Sequence, residues 1–198
     1  SIIRFIDLHD LILINEYKGN KHNISFNGKF SQNISKKNTV EKLFNILDQR
    51  NLLKNRKYKV RIKKNIPQQA GLGGGSVNAA SVLNYLIKKK IIYLNSKTIR
   101  SICEMIGSDV ILGTIAKSCV LASNGKIKII NNAPKFYSIL VKPNFGCATK
   151  EIYSAVKKYT KPQYSKPKKN MFGAKYLINQ ENVLETIVLK KYPKLKKI

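Results

Sequence analysis

Residues 70–80 read "AGLGGGSVNAA", with four glycines and a serine inside positions 71–76 of a chain that holds 11 glycines in 198 residues. Glycine weakens helices and strands, so such a cluster marks unusual backbone angles or a close approach to another group. Its flanks are strongly patterned. Upstream, "KYKVRIKKN" (57–65) alternates, with Tyr58, Val60 and Ile62 on one side and Lys59, Arg61 and Lys63 on the other, as a half-buried strand does. Downstream, Ala79, Ala80, Leu83, Leu86 and Ile87 recur at helical spacing. The order is strand, glycine loop, helix, which is an anion site: free N–H groups and the positive end of the helix dipole converge there. A Walker A loop requires Gly-Lys-Ser/Thr, but Gly75 is followed by Ser76 and Val77; the dinucleotide fingerprint requires a glycine where Ser76 stands.

Outward from the loop, "FIDLHDLILI" (5–14) reads as a strand and "NISFNGKF" (23–30) as its partner. Asn38 caps a helix with Glu41 at the reciprocal capping-box position and Val40, Leu43, Phe44 and Leu47 along one face. Ser96 is expected to cap a further helix carrying Ile99, Ile102, Cys103 and Ile106, with Gly107 as its stop. Strands are expected over 118–122, 126–130 and 137–142, and a helix near Thr149. Residues 157–170 read as a connector before a last helix within 181–198.

Composition narrows the function classes. There are 38 basic against 10 acidic residues, a net charge of +28. Lysine supplies 33 of the 38, beside 20 asparagines, and the lysines run from Lys18 to Lys197 without forming one stripe. Lysine, asparagine and isoleucine share A/T-rich codons, and base readers favour arginine, so the balance points to codon drift over a specific nucleic-acid surface. No apolar run approaches the length of a membrane span. Three cysteines without metal-type spacing (Cys103, Cys119, Cys147) suit a reduced, cytoplasmic setting.

"KNIPQQAGLGGGSVNAA" (64–80) closely resembles the phosphate loop of the GHMP kinases, and within them that of the kinases of 4-diphosphocytidyl-2-C-methyl-D-erythritol in non-mevalonate isoprenoid synthesis. The likeness continues in "FIDLHDLILI", "NTVEKLF" (38–44), "IGSDV" (106–110), "VKPNFGCATKEIYSAV" (141–156) and "NVLETIVLKKYPKLKKI" (182–198). It implies an α+β, two-layer GHMP architecture: an N-terminal ATP-binding domain over 1–135 and the start of a C-terminal domain over 136–198. It also implies transfer of the ATP γ-phosphate to the 2-hydroxyl of a cytidylylated methylerythritol, with Mg²⁺; composition adds the expectation of no specific nucleic-acid partner and no membrane partner. The cradle for the ATP phosphates would be Pro67, Gln68, Gln69, Ala70, Gly71, Leu72, Gly73, Gly74, Gly75, Ser76 and Val77, with the Ser76 hydroxyl toward a phosphate or the metal. Asn38 and Lys64 align with positions at the adenine end, beside their plain roles as cap and strand residue. Asp109 falls on the family's catalytic aspartate and would act as base.

Some positions depart from the family pattern. Val77 replaces a second loop serine, Ile111 replaces a proline, and a family glycine near Ser123 is missing. The family's N-terminal Lys-x-Asn-Leu motif and later glycine loop are not found within these residues, so a truncated chain is expected to turn over poorly. An inactive remnant that binds polyanions nonspecifically is the alternative reading.

Overall fold

The computed structural model describes residues 1–122, 124–147, 149–157 and 169–197. Its strands are β1 (Ile2–Ile3), β2 (Leu11–Tyr17), β3 (Asn23–Asn27), β4 (Lys57–Lys63), β5 (Cys119–Leu121) and β6 (Ile127–Ile129). Its α-helices are α1 (Thr39–Gln49), α2 (Gly74–Lys88), α3 (Ser96–Ile106), α4 (Val110–Ile115), α5 (Thr149–Ser154), α6 (Ala174–Leu177) and α7 (Val183–Lys191). The chain divides into two compact units, Ile6–Gln68 with Leu72–Ala116, and Ser1–Phe5 with Gln69–Gly71 and Lys117–Ile198.

The first of these units is a three-stranded sheet with helices packed on its apolar face. The sheet order is β2-β4-β3, with β4 antiparallel to β2 and parallel to β3. The alternation of 57–63 is realised as read: Tyr58, Val60 and Ile62 are buried, and Lys59, Arg61 and Lys63 are exposed. Two expectations change. The strand read over 5–14 begins at Leu11 rather than near Phe5, because Asp10 turns inward to bond elsewhere. The segment at 23–30 does not pair with it, since β4 enters between the two and takes both ladders.

Helix α1 starts at the predicted cap residue, Asn38. The Asn38 side-chain oxygen accepts from the Val40 and Glu41 N–H groups, both at 3.0 Å, satisfying two otherwise orphan donors. Val40, Leu43, Phe44 and Leu47 are buried against β4 and α2 residues Ala79, Ala80, Leu83 and Leu86 in one apolar cluster. Helix α3 adds Ile102, Cys103 and Ile106. Its cap is Asn95, not Ser96: Asn95 Oδ1 accepts from the Thr98 N–H at 2.8 Å. Gly107 ends α3 in an extended conformation, φ 170°. Burial pushes the Cys103 thiol up to about 11, as suits a packing residue; all three cysteines are free.

In the other unit, β1, β5 and β6 form an antiparallel sheet in the order β1-β5-β6. The expected helix near Thr149 is α5. The strand expected over 137–142 does not form: the segment pairs with no strand among the described residues, and Tyr137 and Ile139 are 107% and 92% exposed. An apolar, β-prone sequence becomes a strand only where a ladder partner accepts it. The last helix ends at Lys191, where Pro193 opens a 3₁₀ turn through Lys197. Most of the expected connector, together with Ser123, lies outside the described residues.

Candidate functional site

The glycine loop does two different jobs with its glycines. Gly71 and Gly73 hold φ of +70° and +65°, the left-handed region, and a Cβ built on either meets nothing within 4 Å. They supply backbone curvature beside open space. Gly74 and Gly75 belong to the first turn of α2 and are packing glycines. A Cβ on Gly74 would lie 2.9 Å from Ile66 Cγ2, and one on Gly75 would lie 3.3 Å from Thr39 Oγ1. Gly74 is therefore packed against Ile66 on the side where a Cβ would project.

The N-terminus of α2 is bare. Gly73 is its cap residue and offers no side-chain hydrogen bond, and no acidic residue occupies the first turn. The 15-residue helix thus keeps its leading N–H groups and its dipole for an outside anion. Ser76 is half-buried in that turn. Val77 has moved from the family's hydroxyl to packing: it faces Gly113 of α4, whose added Cβ would lie 3.1 Å from Val77 Cα and 2.7 Å from Ala80 Cβ.

Around this turn the other candidates sort themselves. The Thr39 hydroxyl donates to the Gly75 carbonyl at 2.6 Å, placing the start of α1, and so Asn38, against the start of α2. Asn38 itself is spent on its capping bonds and on Ser35. Gln68 anchors the loop's entry by donating to the Phe30 and Gln32 carbonyls at 2.9 and 2.6 Å. In its own unit, the Gln69 carbonyl accepts from the Cys147 N–H at 3.0 Å.

Lys64 departs from expectation. Its side chain is 6% exposed and its ammonium pairs with Asp10, whose side chain is fully buried. Asp10 also accepts from the Asn65 and Ile66 N–H groups and from Asn78 Nδ2, each at 2.8 Å. Burial works to raise the Asp10 carboxyl, but Lys64 and these three donors outweigh it and hold it below the usual carboxylate range. The Lys64 ammonium is thus engaged with a carboxylate.

Asp109 caps α4 by position only. It is exposed, makes no side-chain capping bond, and its carboxylate accepts from the Ser108 hydroxyl at 3.3 Å. Gly113, four residues on, seats α4 against α2.

Asp10, Thr39 and Asn78 were not singled out by their sequence pattern. Asp10 precedes an apolar run and reads as a turn former; only its burial reveals it. Among the described residues no cluster of three or more His, Cys, Asp or Glu is arranged to hold a metal ion, and no helix is long and apolar enough to cross a membrane.

Residues 38–120 match the family model of the GHMP kinases N terminal domain. The chain is 52% identical over 198 residues to a 4-diphosphocytidyl-2-C-methyl-D-erythritol kinase of Pelagibacter ubique (strain HTCC1062), covering all of this chain and 70% of that protein. A protein of the same name from Clostridium tetani (strain Massachusetts / E88) is 32% identical over 212 aligned residues, covering all of this chain and 72% of the relative. The fold matches a crystal structure of 4-(cytidine 5'-diphospho)-2C-methyl-D-erythritol kinase with a TM-score of 0.58 at 20% identity, over 96% of this chain and 68% of the other.

Proposed function

Because the chain belongs to the 4-diphosphocytidyl-2-C-methyl-D-erythritol kinase family, within the GHMP kinases, we propose that it carries that family's reaction: transfer of the ATP γ-phosphate to the 2-hydroxyl of 4-diphosphocytidyl-2-C-methyl-D-erythritol. The observation that carries this reading is the bare N-terminus of α2 at its left-handed cap residue Gly73, where an added Cβ would meet nothing within 4 Å. Phosphoryl transfer asks a protein mainly for positioning and charge stabilisation, and this turn offers backbone donors for both.

In this reading residues 67–77 hold the triphosphate, Gly71 and Gly73 leave room for it, and the Ser76 hydroxyl bonds a phosphate oxygen. Asn38 and Lys64 keep the adenine end only indirectly, through the helix start and the buried pair they build. Asp109, with a carboxylate that no cap consumes, takes the proton of the attacking hydroxyl. Mg²⁺, an ion that keeps several of its waters and is held through substrate phosphates and one or two carboxylates, would supply charge neutralisation there. A cytoplasmic location and the division of the chain near residue 135 belong to the same proposal.

The test is a coupled ADP-release assay with purified protein, cytidylylated methylerythritol and Mg-ATP. Turnover that falls about 10²–10⁴-fold in Asp109→Asn is the expected result. An unchanged rate in that variant would remove Asp109 as the base. Absence of any substrate-dependent ADP release from the parent chain would favour the inactive remnant.

A further inference from the structure

Behind the glycine loop lies a buried carboxylate that the reaction itself does not use. We propose that Asp10 is a positioning residue that fixes the two flanks of the loop, and so sets the shape of the N-terminal turn of α2; this rests on the loop being the ATP cradle.

One side chain reaches both flanks. On the entry side Asp10 Oδ1 accepts from the Asn65 and Ile66 N–H groups at 2.8 Å, and Oδ2 accepts from Lys64 Nζ. On the exit side Oδ2 accepts from Asn78 Nδ2 at 2.8 Å, in the second turn of α2. Eleven residues, 67–77, lie between Ile66 and Asn78, and their end points are held by a single rigid group. A carboxylate has about four lone-pair sites, so these four donors saturate it. Asp10 consequently has no acceptor left for a ligand, although it also borders a groove lined by Ile12, Ile14, Ser81 and Tyr85. Its work is done through the residues it holds.

Charge supports the same assignment. A buried, unpaired aspartate beneath α2 would oppose an anion at the helix start. Lys64 cancels that charge within the protein interior, so the leading N–H groups of the turn act on an incoming anion unopposed. Ile66 is fixed by its N–H to Asp10 and meets Gly74 through its side chain, which passes the constraint directly to the first residue of α2.

The experiment compares Asp10→Asn and Asn78→Ala with the parent chain by two readouts: affinity for the fluorescent nucleotide mant-ATP with Mg²⁺, and amide hydrogen exchange without nucleotide. Asp10→Asn turns two acceptor contacts toward an amide N–H₂ and is expected to weaken mant-ATP at least ten-fold. Asn78→Ala keeps the ion pair, frees only the helix side, and is expected to cost about three- to ten-fold; it decides the matter if Asp10→Asn does not fold. Exchange should quicken at 67–68 and 72–78 while α1 keeps its protection, a local pattern that general destabilisation would not produce. Parental affinity in both variants, or faster exchange spread evenly over α1 and α3, would overturn the proposal. A parent chain that binds no mant-ATP removes the ATP reading instead, and the exchange pattern then decides by itself whether Asp10 holds the loop.

Discussion

The Tyr58 backbone N–H donates to His22 Nδ1 at 3.1 Å, while His22 Nε2 faces Asp48 Oδ2 at 3.2 Å. The first bond requires an unprotonated Nδ1, so the proton of the neutral ring sits on Nε2 and is donated to Asp48. The ring is also stacked on Phe44, 4.2 Å between centroids, and its side chain is 7% exposed. His22 is therefore a neutral, nearly buried residue that satisfies the Tyr58 N–H of β4.

Acid should unlock it. Burial pushes the His22 pKa below 6.5, with Lys57 adding to the effect and Asp48 opposing it. The folded chain thus binds fewer protons on this ring than the unfolded chain does. The stability it confers is complete above about pH 6.5 and is lost as the pH falls through the lower, folded value. Urea denaturation from pH 8 to pH 5 should show that decline, and His22→Leu should flatten it. The same variant should cost about 1–3 kcal/mol at pH 7, since the Tyr58 N–H loses its acceptor. An unchanged slope in the variant would assign the decline to other groups.

Two neighbouring glycines should respond differently to substitution. Gly73→Val forces a branched residue into the left-handed region, costing about 1–2 kcal/mol, and fills the space before the helix start. Its loss of Mg-ATP affinity by calorimetry should exceed its loss of stability. Gly74→Ala pushes a methyl into Ile66 and should cost about 1–3 kcal/mol by overpacking. Here thermal denaturation should register the larger effect. Equal profiles for the two would undo the distinction between approach and packing.

Gly113→Ala should separate α4 from α2. Its methyl would sit 2.7 Å from Ala80 Cβ, so the helices must part, at about 1–3 kcal/mol. Because α4 begins directly after Asp109, kinase turnover should fall with it. The double variant Gly113→Ala with Ala80→Gly removes the opposing methyl and should recover part of the melting temperature; no recovery would place the strain at Val77.

The charge of +28 should reveal itself only at low salt. Dispersed lysines bind polyanions by releasing counterions, so affinity for random single-stranded RNA should fall about 300-fold or more between roughly 50 and 200 mM salt if six or more phosphates are engaged. Filter binding across that range is the measurement. Sequence-selective binding that survives the upper end of it would instead mark a dedicated nucleic-acid surface.

Local pattern made some of these features legible. The alternation of Tyr58, Val60 and Ile62, and the Asn38 cap with its apolar stripe, involve residues near in sequence, and both stand as read. Pairing was less legible. The 11–17 and 23–27 strands are adjacent along the chain, yet the partner of each is β4. Asn95 outcompetes Ser96 as a cap by one position, a difference no periodicity marks. Asp10 was hidden for a plainer reason: Lys64 and Asn78 lie 54 and 68 residues away, so its chemistry exists only after folding.

The central place of β4 sets an order of events during synthesis. The two earlier strands cannot satisfy one another, since each hydrogen-bonds to the strand that comes last. Until residue 63 is available, β2 and β3 are both unpaired edges, and Leu11 and Leu13 remain outward-facing even when the sheet is complete. Closing the β3–β4 pair also means carrying the whole of α1 across the sheet as a crossover. Every ladder contact in this sheet therefore waits on one late segment, which makes nucleation slow and all-or-none. A nascent chain stalled before β4 would present two sticky strands and no sheet.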